Sequence, residues 1–332
     1  MSHPPPTRVF TAGLAFLAAL LGPAGAAGAG SCHIATIGTQ HVEVKGSSAW
    51  MDGSVNGQPI TVLIDTGSAL TSLSRPFAKR ASLDLHPTPM SAYGVGGRSD
   101  IYSAYIKALA FGPLLAQGVE VAVVTDTGAA PPWDGIVGAD ILFGHDLEIA
   151  LKDAEIRVLM PEGCRDEFLA YWDREASVVP MSRIGYNDHR QVITVQVNDR
   201  DVRALIDSGA YRSMIDAAAA ERAGVTRESS RILAEQPVTG IGPKRIDTWI
   251  APFRKVVIGR ETIHDTQLAV ADLRSTFREE ANTESRIMRR NDHGYDMVLG
   301  ADFLKAHRVL FSVQQEQFYF SYVGGRIFAI ER

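Results

Sequence analysis

The chain has 332 residues, 45% of them hydrophobic and 21% charged, with a mean hydropathy of −0.01; these are the values of an ordinary globular protein of about two domains. Collagen-like, coiled-coil and largely disordered architectures are excluded. Lys+Arg 33 against Asp+Glu 38 leaves a formal net charge of −5, which argues against a mainly nucleic-acid-binding surface, and 2 cysteines are too few for a four-Cys zinc site or a disulfide-dense scaffold.

Residues 1–29 carry a single charged side chain, Arg8, then an apolar run from Val9 to Leu21 and a small-residue stretch, Gly22–Gly30, that contains Ala27-Gly28-Ala29. A positive start, a short apolar core and an A-x-A site describe a secretory signal peptide over 1–29. The run is short for a bilayer span, and an uncleaved anchor is the alternative. No second apolar run of membrane length follows, so the mature chain is expected to be exported, periplasmic or secreted, without a membrane span. In an oxidising compartment the lone pair Cys32 and Cys164 reads as one disulfide. The competing reading is lipid attachment at Cys32, after the small residues Ala29-Gly30-Ser31 but without a bulky aliphatic residue at the first of them. Two unpaired thiols are the bland one.

The remainder is written twice. Val55-Asn56, then Leu63-Ile64-Asp65-Thr66-Gly67-Ser68, lies over Val197-Asn198, then Leu205-Ile206-Asp207-Ser208-Gly209-Ala210. Each motif follows an apolar strand, Thr61–Ile64 or Arg203–Ile206, and precedes a short helix. Ser74 and Pro76 open the first helix; Asp216 opens the second, which Gly224 closes. A glycine turn comes next in each half, Gly94-Val95-Gly96-Gly97 and Gly240-Ile241-Gly242. Alternating strand-like segments follow: Ile101–Phe111 and Val119–Val124, then Ile246–Ile258 and Thr266–Val270. Each half closes on one phrase, Asp134-Gly135-Ile136-Val137-Gly138-Ala139-Asp140-Ile141-Leu142 and Asp296-Met297-Val298-Leu299-Gly300-Ala301-Asp302-Phe303-Leu304. The copies drift apart mainly in Asp272–His293, a densely charged insert that reads as a solvated loop or short helix. Cys164–Asp173, within the linker 164–180, is expected to be a short amphipathic helix.

Alone, Asp-Thr-Gly or Asp-Ser-Gly is an ordinary turn. Two copies, each on an apolar strand and each echoed by an apolar-apolar-Gly phrase, resemble the two lobes of an aspartic endopeptidase of the pepsin and retropepsin group. The Gly-Ala-Asp-Ile-Leu and Gly-Ala-Asp-Phe-Leu phrases stand closer to the retropepsin side, in a bacterial-type arrangement of two such repeats in one exported chain. The resemblance runs from about residue 50 to residue 320. It implies an all-β, bilobed acid-protease fold of two pseudo-symmetric β-barrel lobes with short helices, the lobes being 30–163 and 181–332. It implies Asp65 and Asp207 as the catalytic pair, supported by Thr66, Gly67, Ser68, Ser208, Gly209 and Ala210, with Thr66 and Ser208 interlocking the loops. Gly94, Gly96 and Gly97, beside Tyr93, are then the flap turn, and Gly240 and Gly242 its second-half counterpart, where Pro243 replaces the third glycine.

The chemistry follows from the pairing. Two adjacent carboxyls hold one proton between them; the ionised member takes a proton from a water that attacks the peptide carbonyl, and the other protonates the carbonyl oxygen. No metal or cofactor is expected. A peptide or protein substrate is expected, with no nucleic acid, and a monomer, because one chain supplies both loops. Ser68 is expected to donate to Asp65, which Ala210 cannot do for Asp207, making Asp65 the more readily ionised partner. Other enzyme signatures are missing: no G-x-S-x-G elbow, no G-x-x-x-x-G-K-[ST] loop, no H-E-x-x-H pair. The 9 scattered His residues read as structural or exposed. The rival reading is a catalytically inactive exported scaffold that binds peptides or proteins in the same cleft.

Overall fold

From the strand before each Asp loop onward, the two halves repeat the same order of strands and short helices. The computed structural model describes residues 31–46, 48–94, 97–125, 133–228, 232, 234–238, 245–274 and 294–328; the expected signal segment, the glycines Gly96, Gly240 and Gly242, and most of the charged insert lie outside them. The first half runs β1 (His33–His41), β2 (Glu43–Lys45), β3 (Ser48–Val55), β4 (Gln58–Ile64), β5 (Ser72–Ser74), α1 (Arg75–Arg80), β6 (His86–Gly94), β7 (Gly97–Phe111), β8 (Leu114–Val124), β9 (Gly135–Val137), α2 (Ala139–Leu142), β10 (Asp146–Ala150) and β11 (Glu155–Glu162). The second runs β12 (Ser177–Gly185), β13 (Asp188–Val197), β14 (Arg200–Ile206), β15 (Met214–Asp216), α3 (Ala217–Arg222), β16 (Ala234–Val238), β17 (Ile246–Ile258), β18 (Glu261–Ala271), β19 (Met297–Leu299), α4 (Ala301–Leu304), β20 (His307–Ser312) and β21 (Gln317–Tyr322).

In the first half an eight-stranded sheet, β2-β3-β4-β9-β5-β8-β7-β6, closes on itself where β3 also pairs with β7. In the second, β13-β14-β19-β15-β18-β17-β16 closes where β13 pairs with β17. The fold is thus all-β and two-lobed, as the repeat implies. Alternating burial holds the walls together: Ala104 and Ile106, then after a one-residue slip Leu109 and Phe111, of β7 join the core. The repeated Val-Asn pair makes the hairpin turns. Asn56 and Gly57 take φ 52° and 81°, Asn198 and Asp199 46° and 69°, the left-handed pair of a type I′ turn. Each Asn also ties its hairpin to the neighbouring wall. Asn56 Oδ1 accepts from Lys107 N (2.8 Å) and Asn198 Oδ1 from Arg254 N (2.9 Å). Helix caps follow the sequence: Ser74 Oγ accepts from Phe77 N (3.3 Å), and the Asp216 carboxylate accepts from Ala218 N (3.1 Å).

A six-strand floor, β1-β11-β10-β20-β21-β12, joins the halves. β10 and β20 pair across the pseudo-two-fold, Leu147 with Phe311 and Ile149 with Val309, so both are buried almost throughout. Glu148, fully buried in the middle of this sheet, is clasped from both halves: Arg157 and Arg308 pair with it, the latter through Nη2 at 2.8 Å, and Tyr171 donates to it at 2.6 Å. Glu148→Gln should therefore lower unfolding free energy by about 3 kcal/mol, since two partly buried guanidinium groups lose the counter-charge they share; urea unfolding at neutral pH measures it, and an unchanged midpoint would show the clasp to be idle.

The linker departs from expectation. Residues 164–173 are a succession of turns, not an amphipathic helix. Gln315 Nε2 donates to the carbonyls of Cys164 (2.7 Å) and Glu167 (2.8 Å), drawing the chain onto β20–β21, while Leu169 and Ala170 sink beside Leu159, Leu310 and Tyr319. Burying adjacent residues 169 and 170 while Phe168 and Tyr171 stay exposed does not fit one helical stripe. Cys32 and Cys164 are disulfide-bonded, with Cα atoms 4.5 Å apart, tying the start of β1 to the end of β11. Among the described residues no helix is long and apolar enough to cross a membrane.

Candidate functional site

β4 and β14 deliver the two Asp loops, and each strand pairs in parallel with the apolar-apolar-Gly strand of its own half: Ile64 with Val137, Ile206 with Leu299. Asp65 N donates to Val137 O (3.0 Å) and Asp207 N to Leu299 O (2.9 Å), which anchors both residues at the strand ends. β9 and β19 then pass close beneath the loops. A Cβ on Gly138 would stand 2.6 Å from the Leu70 carbonyl carbon, and one on Gly300 2.5 Å from that of Arg212, so only glycine allows the crossing.

The crossing is latched twice in each half. Thr71 Oγ1 donates to Asp140 Oδ1 (2.7 Å) and accepts from Gly138 N (3.0 Å); Ser213 Oγ does the same with Asp302 Oδ1 (2.7 Å) and Gly300 N (2.9 Å). The aspartates of the closing Gly-Ala-Asp phrases thus hold the loops from below. Thr71 and Ser213, which the sequence reading passed over, occupy matching places in the two copies and both carry hydroxyls; that repeat was the available signal.

Between the halves the loops interlock. Thr66 Oγ1 donates to Ile206 O (2.8 Å) and accepts from Ser208 N (2.9 Å); Ser208 Oγ donates to Ile64 O (2.7 Å) and accepts from Thr66 N (3.0 Å). All four groups are buried, and each is satisfied by the opposite half. The result is that the Asp65 and Asp207 carboxyls are hydrogen-bonded to each other. Gly67 and Gly209 make room for this contact. A Cβ on Gly67 would stand 2.1 Å from Asp207 Cγ, and one on Gly209 2.3 Å from Asp65 Cγ.

The two carboxyls are not equivalent, and the inequality runs against the sequence expectation. Ser68 Oγ donates to Leu70 O (2.9 Å) and its backbone N–H to the Asp65 main-chain carbonyl (3.2 Å), leaving the Asp65 carboxyl with the Gly67 N–H (2.9 Å), where Asp207 Oδ1 accepts from both Gly209 N (2.9 Å) and Ala210 N (3.0 Å). Burial pushes the Asp65 carboxyl well above the usual carboxylate range, and the neighbouring Asp207 pushes it the same way. Burial raises Asp207 too, but the Ala210 N–H, the hydrogen bond from Asp65, the Gly209 N–H and the Arg190 charge all pull it down. Asp207 is therefore the more readily ionised partner. Ala210 contributes through its backbone, a donor that no side-chain reading reveals.

Two small apolar clusters adjoin the strands that carry the loops. On the first-half side Trp50, Leu63 and Ile136 pack with Trp133; on the other Ala271, Leu273 and Val298 pack with Ala210, Ile246 and Tyr295. The first glycine turn is the tip of the β6–β7 hairpin, where Tyr93 pairs with Arg98 and Gly94 with Gly97. Among the described residues no group of three or more His, Cys, Asp or Glu is arranged to hold a metal ion. What the site offers chemically is two half-buried carboxyls facing each other at a joint between two halves.

The sequence model of the aspartyl protease family matches residues 51–141 and 193–303. Both Asp loops and most of each closing phrase fall within the matched segments. No curated protein matches the chain.

Proposed function

The chain belongs to the aspartyl protease family, and from that membership we propose that it is an aspartic endopeptidase of retropepsin-like repeats, hydrolysing peptide bonds with a water activated between Asp65 and Asp207. The observation that carries this reading is the mutual hydrogen bond of the two carboxyls, held by the reciprocal Thr66 and Ser208 contacts. Asp207, the partner more easily ionised, takes a proton from the water as its oxygen bonds to the peptide carbonyl carbon. Asp65, protonated, gives its proton to the carbonyl oxygen. The resulting diol collapses: its C–N bond breaks as the proton held by Asp207 passes to the leaving nitrogen, and Asp65 recovers a proton from a hydroxyl. No covalent enzyme intermediate forms.

The β6–β7 hairpin, with Tyr93, Gly94, Gly96 and Gly97, is proposed as the flap that covers the substrate, with Gly240 and Gly242 at the second-half turn. One chain carries both loops, so the active form is a monomer. Export to the periplasm or exterior fits the Cys32–Cys164 disulfide.

The test is incubation of the purified protein with unfolded casein across acidic and neutral pH, with and without a statine-type transition-state inhibitor. Fragments that vanish with the inhibitor, at a specific activity independent of dilution, are expected. Intact casein at every pH would overturn the protease reading and leave a peptide-binding scaffold.

A further inference from the structure

The two halves differ electrostatically at one pair of matching positions beside the Asp loops. β3 and β4 are antiparallel with Trp50 opposite Leu63, so two residues further along each strand Ser48 comes opposite Asp65. β13 and β14 have the same register, Val192 opposite Leu205, so Arg190 comes opposite Asp207. A guanidinium thus stands where the first half has a hydroxyl. It is firmly held: Arg190 Nη2 donates to Asp188 Oδ2 (2.6 Å), Nε to Oδ1 (3.0 Å) and Oδ2 (3.1 Å), and Asp188 Oδ1 also accepts the Arg190 backbone N–H (3.1 Å). The Tyr295 side chain hydrogen-bonds the same guanidinium from the segment before β19, where it packs beside Ala210 of the Asp207 loop.

Building on the reading of Asp65 and Asp207 as the acid–base pair, we infer that Arg190 is a positioning residue: braced by Asp188 and Tyr295, it fixes the negative charge of the pair on Asp207 and leaves the shared proton on Asp65. Among the described residues, the charged and titratable groups facing Asp207 are few. Asp65 faces it from the other loop, Arg190 and Asp188 from β13, and Tyr295 from the approach to β19. Arg212, further along its own loop, is stacked over the Tyr211 ring at 4.5 Å and acts on Asp302. Arg190 is the cation among these that favours an ionised Asp207. Burial works against the charge on Asp188, yet the Arg190 hydrogen bonds hold its carboxyl below the usual range, so the brace persists at acidic pH. A nearly symmetric pair of loops is thereby given a fixed base and a fixed acid.

The sign of the effect is set by charge. A cation beside a carboxyl favours its ionised form, so removing the cation raises the pH at which the pair first ionises. Arg190→Gln in the full chain is expected to move the acidic limb of the kcat/KM–pH profile upward by about one pH unit, and Arg190→Lys to restore most of it. Titration of protein labelled with 13C at the Asp side-chain carboxyl, the pair being assigned with Asp65→Asn and Asp207→Asn, reads the same quantity without turnover. There Asp207 should ionise before Asp65 in the parent, and Arg190→Gln should raise its first ionisation equally. If Arg190→Gln strands Asp188 and fails to fold, the double variant Asp188→Asn/Arg190→Gln carries the same expectation without a stranded charge. A parent that cleaves no peptide but whose Asp207 still responds to Arg190 would sink the protease reading and support the charge assignment. An unshifted Asp207 titration in folded variants would overturn the inference, whatever the activity.

Discussion

Asp65→Asn and Asp207→Asn should each lower kcat/KM by about 10³-fold while leaving the thermal midpoint at neutral pH no lower than the parent's. An amide at 207 cannot take the water's proton, and one at 65 cannot protonate the carbonyl oxygen, so either change removes half of the acid–base pair. Stability moves the other way. Both carboxyls ionise at higher pH in the folded chain than when free in water, Asp65 by more. The folded state therefore binds more protons than the unfolded one, and stability falls as pH rises from the free-carboxyl value through the folded one. At neutral pH the parent bears that cost and an Asn variant does not. Steady-state kinetics together with calorimetry at neutral pH decide the matter; activity lost only alongside a collapsed melting transition would reduce the pair to a structural role.

Reduction of the Cys32–Cys164 bond, or Cys164→Ser, should cost about 5 kcal/mol on the chain-entropy account, because the bond closes nearly half the chain into one loop. The bonded residues are 132 apart in sequence, and freeing them returns that closure entropy to the unfolded chain. At the entropy of unfolding of a domain this size, the thermal midpoint should fall by roughly 10 °C. Cys164 also lies buried among Leu159, Leu169, Ala170, Leu310 and Tyr319, so the variant removes sulfur packing there as well. Melting with and without reductant is the measurement. The parent should lose stability under reductant and Cys164→Ser should not respond; a parent indifferent to full reduction would assign the floor's stability elsewhere, to the Glu148 clasp first.

Much of this molecule is local chemistry and could be read from the chain alone. Period-two apolar patterning marks β7 and β17, and the hydroxyl of Ser74 and the carboxylate of Asp216 mark helix starts. Each of these depends on residues within a few positions of one another. The repeat then paired Asp65 with Asp207 and Thr66 with Ser208, because two copies of one motif are most simply related by a two-fold axis.

What only the tertiary structure decided are the features whose partners lie far away in sequence. The linker 164–173 fails to form a helix because Gln315, from the other end of the chain, takes its carbonyls. Ser68 turns its hydroxyl to Leu70 O while Ala210 serves Asp207 through the backbone, a choice set by how each loop is drawn down onto β9 or β19. The inequality of the two carboxyls draws on the Ala210 N–H and on Arg190, whose place near Asp207 follows from the register of β13 on β14 and has no echo at Ser48. Sequence motifs named the reacting groups because their spacing is repeated. Which group holds the proton depends on a charge brought near by strand pairing, and a motif carries no record of that distance.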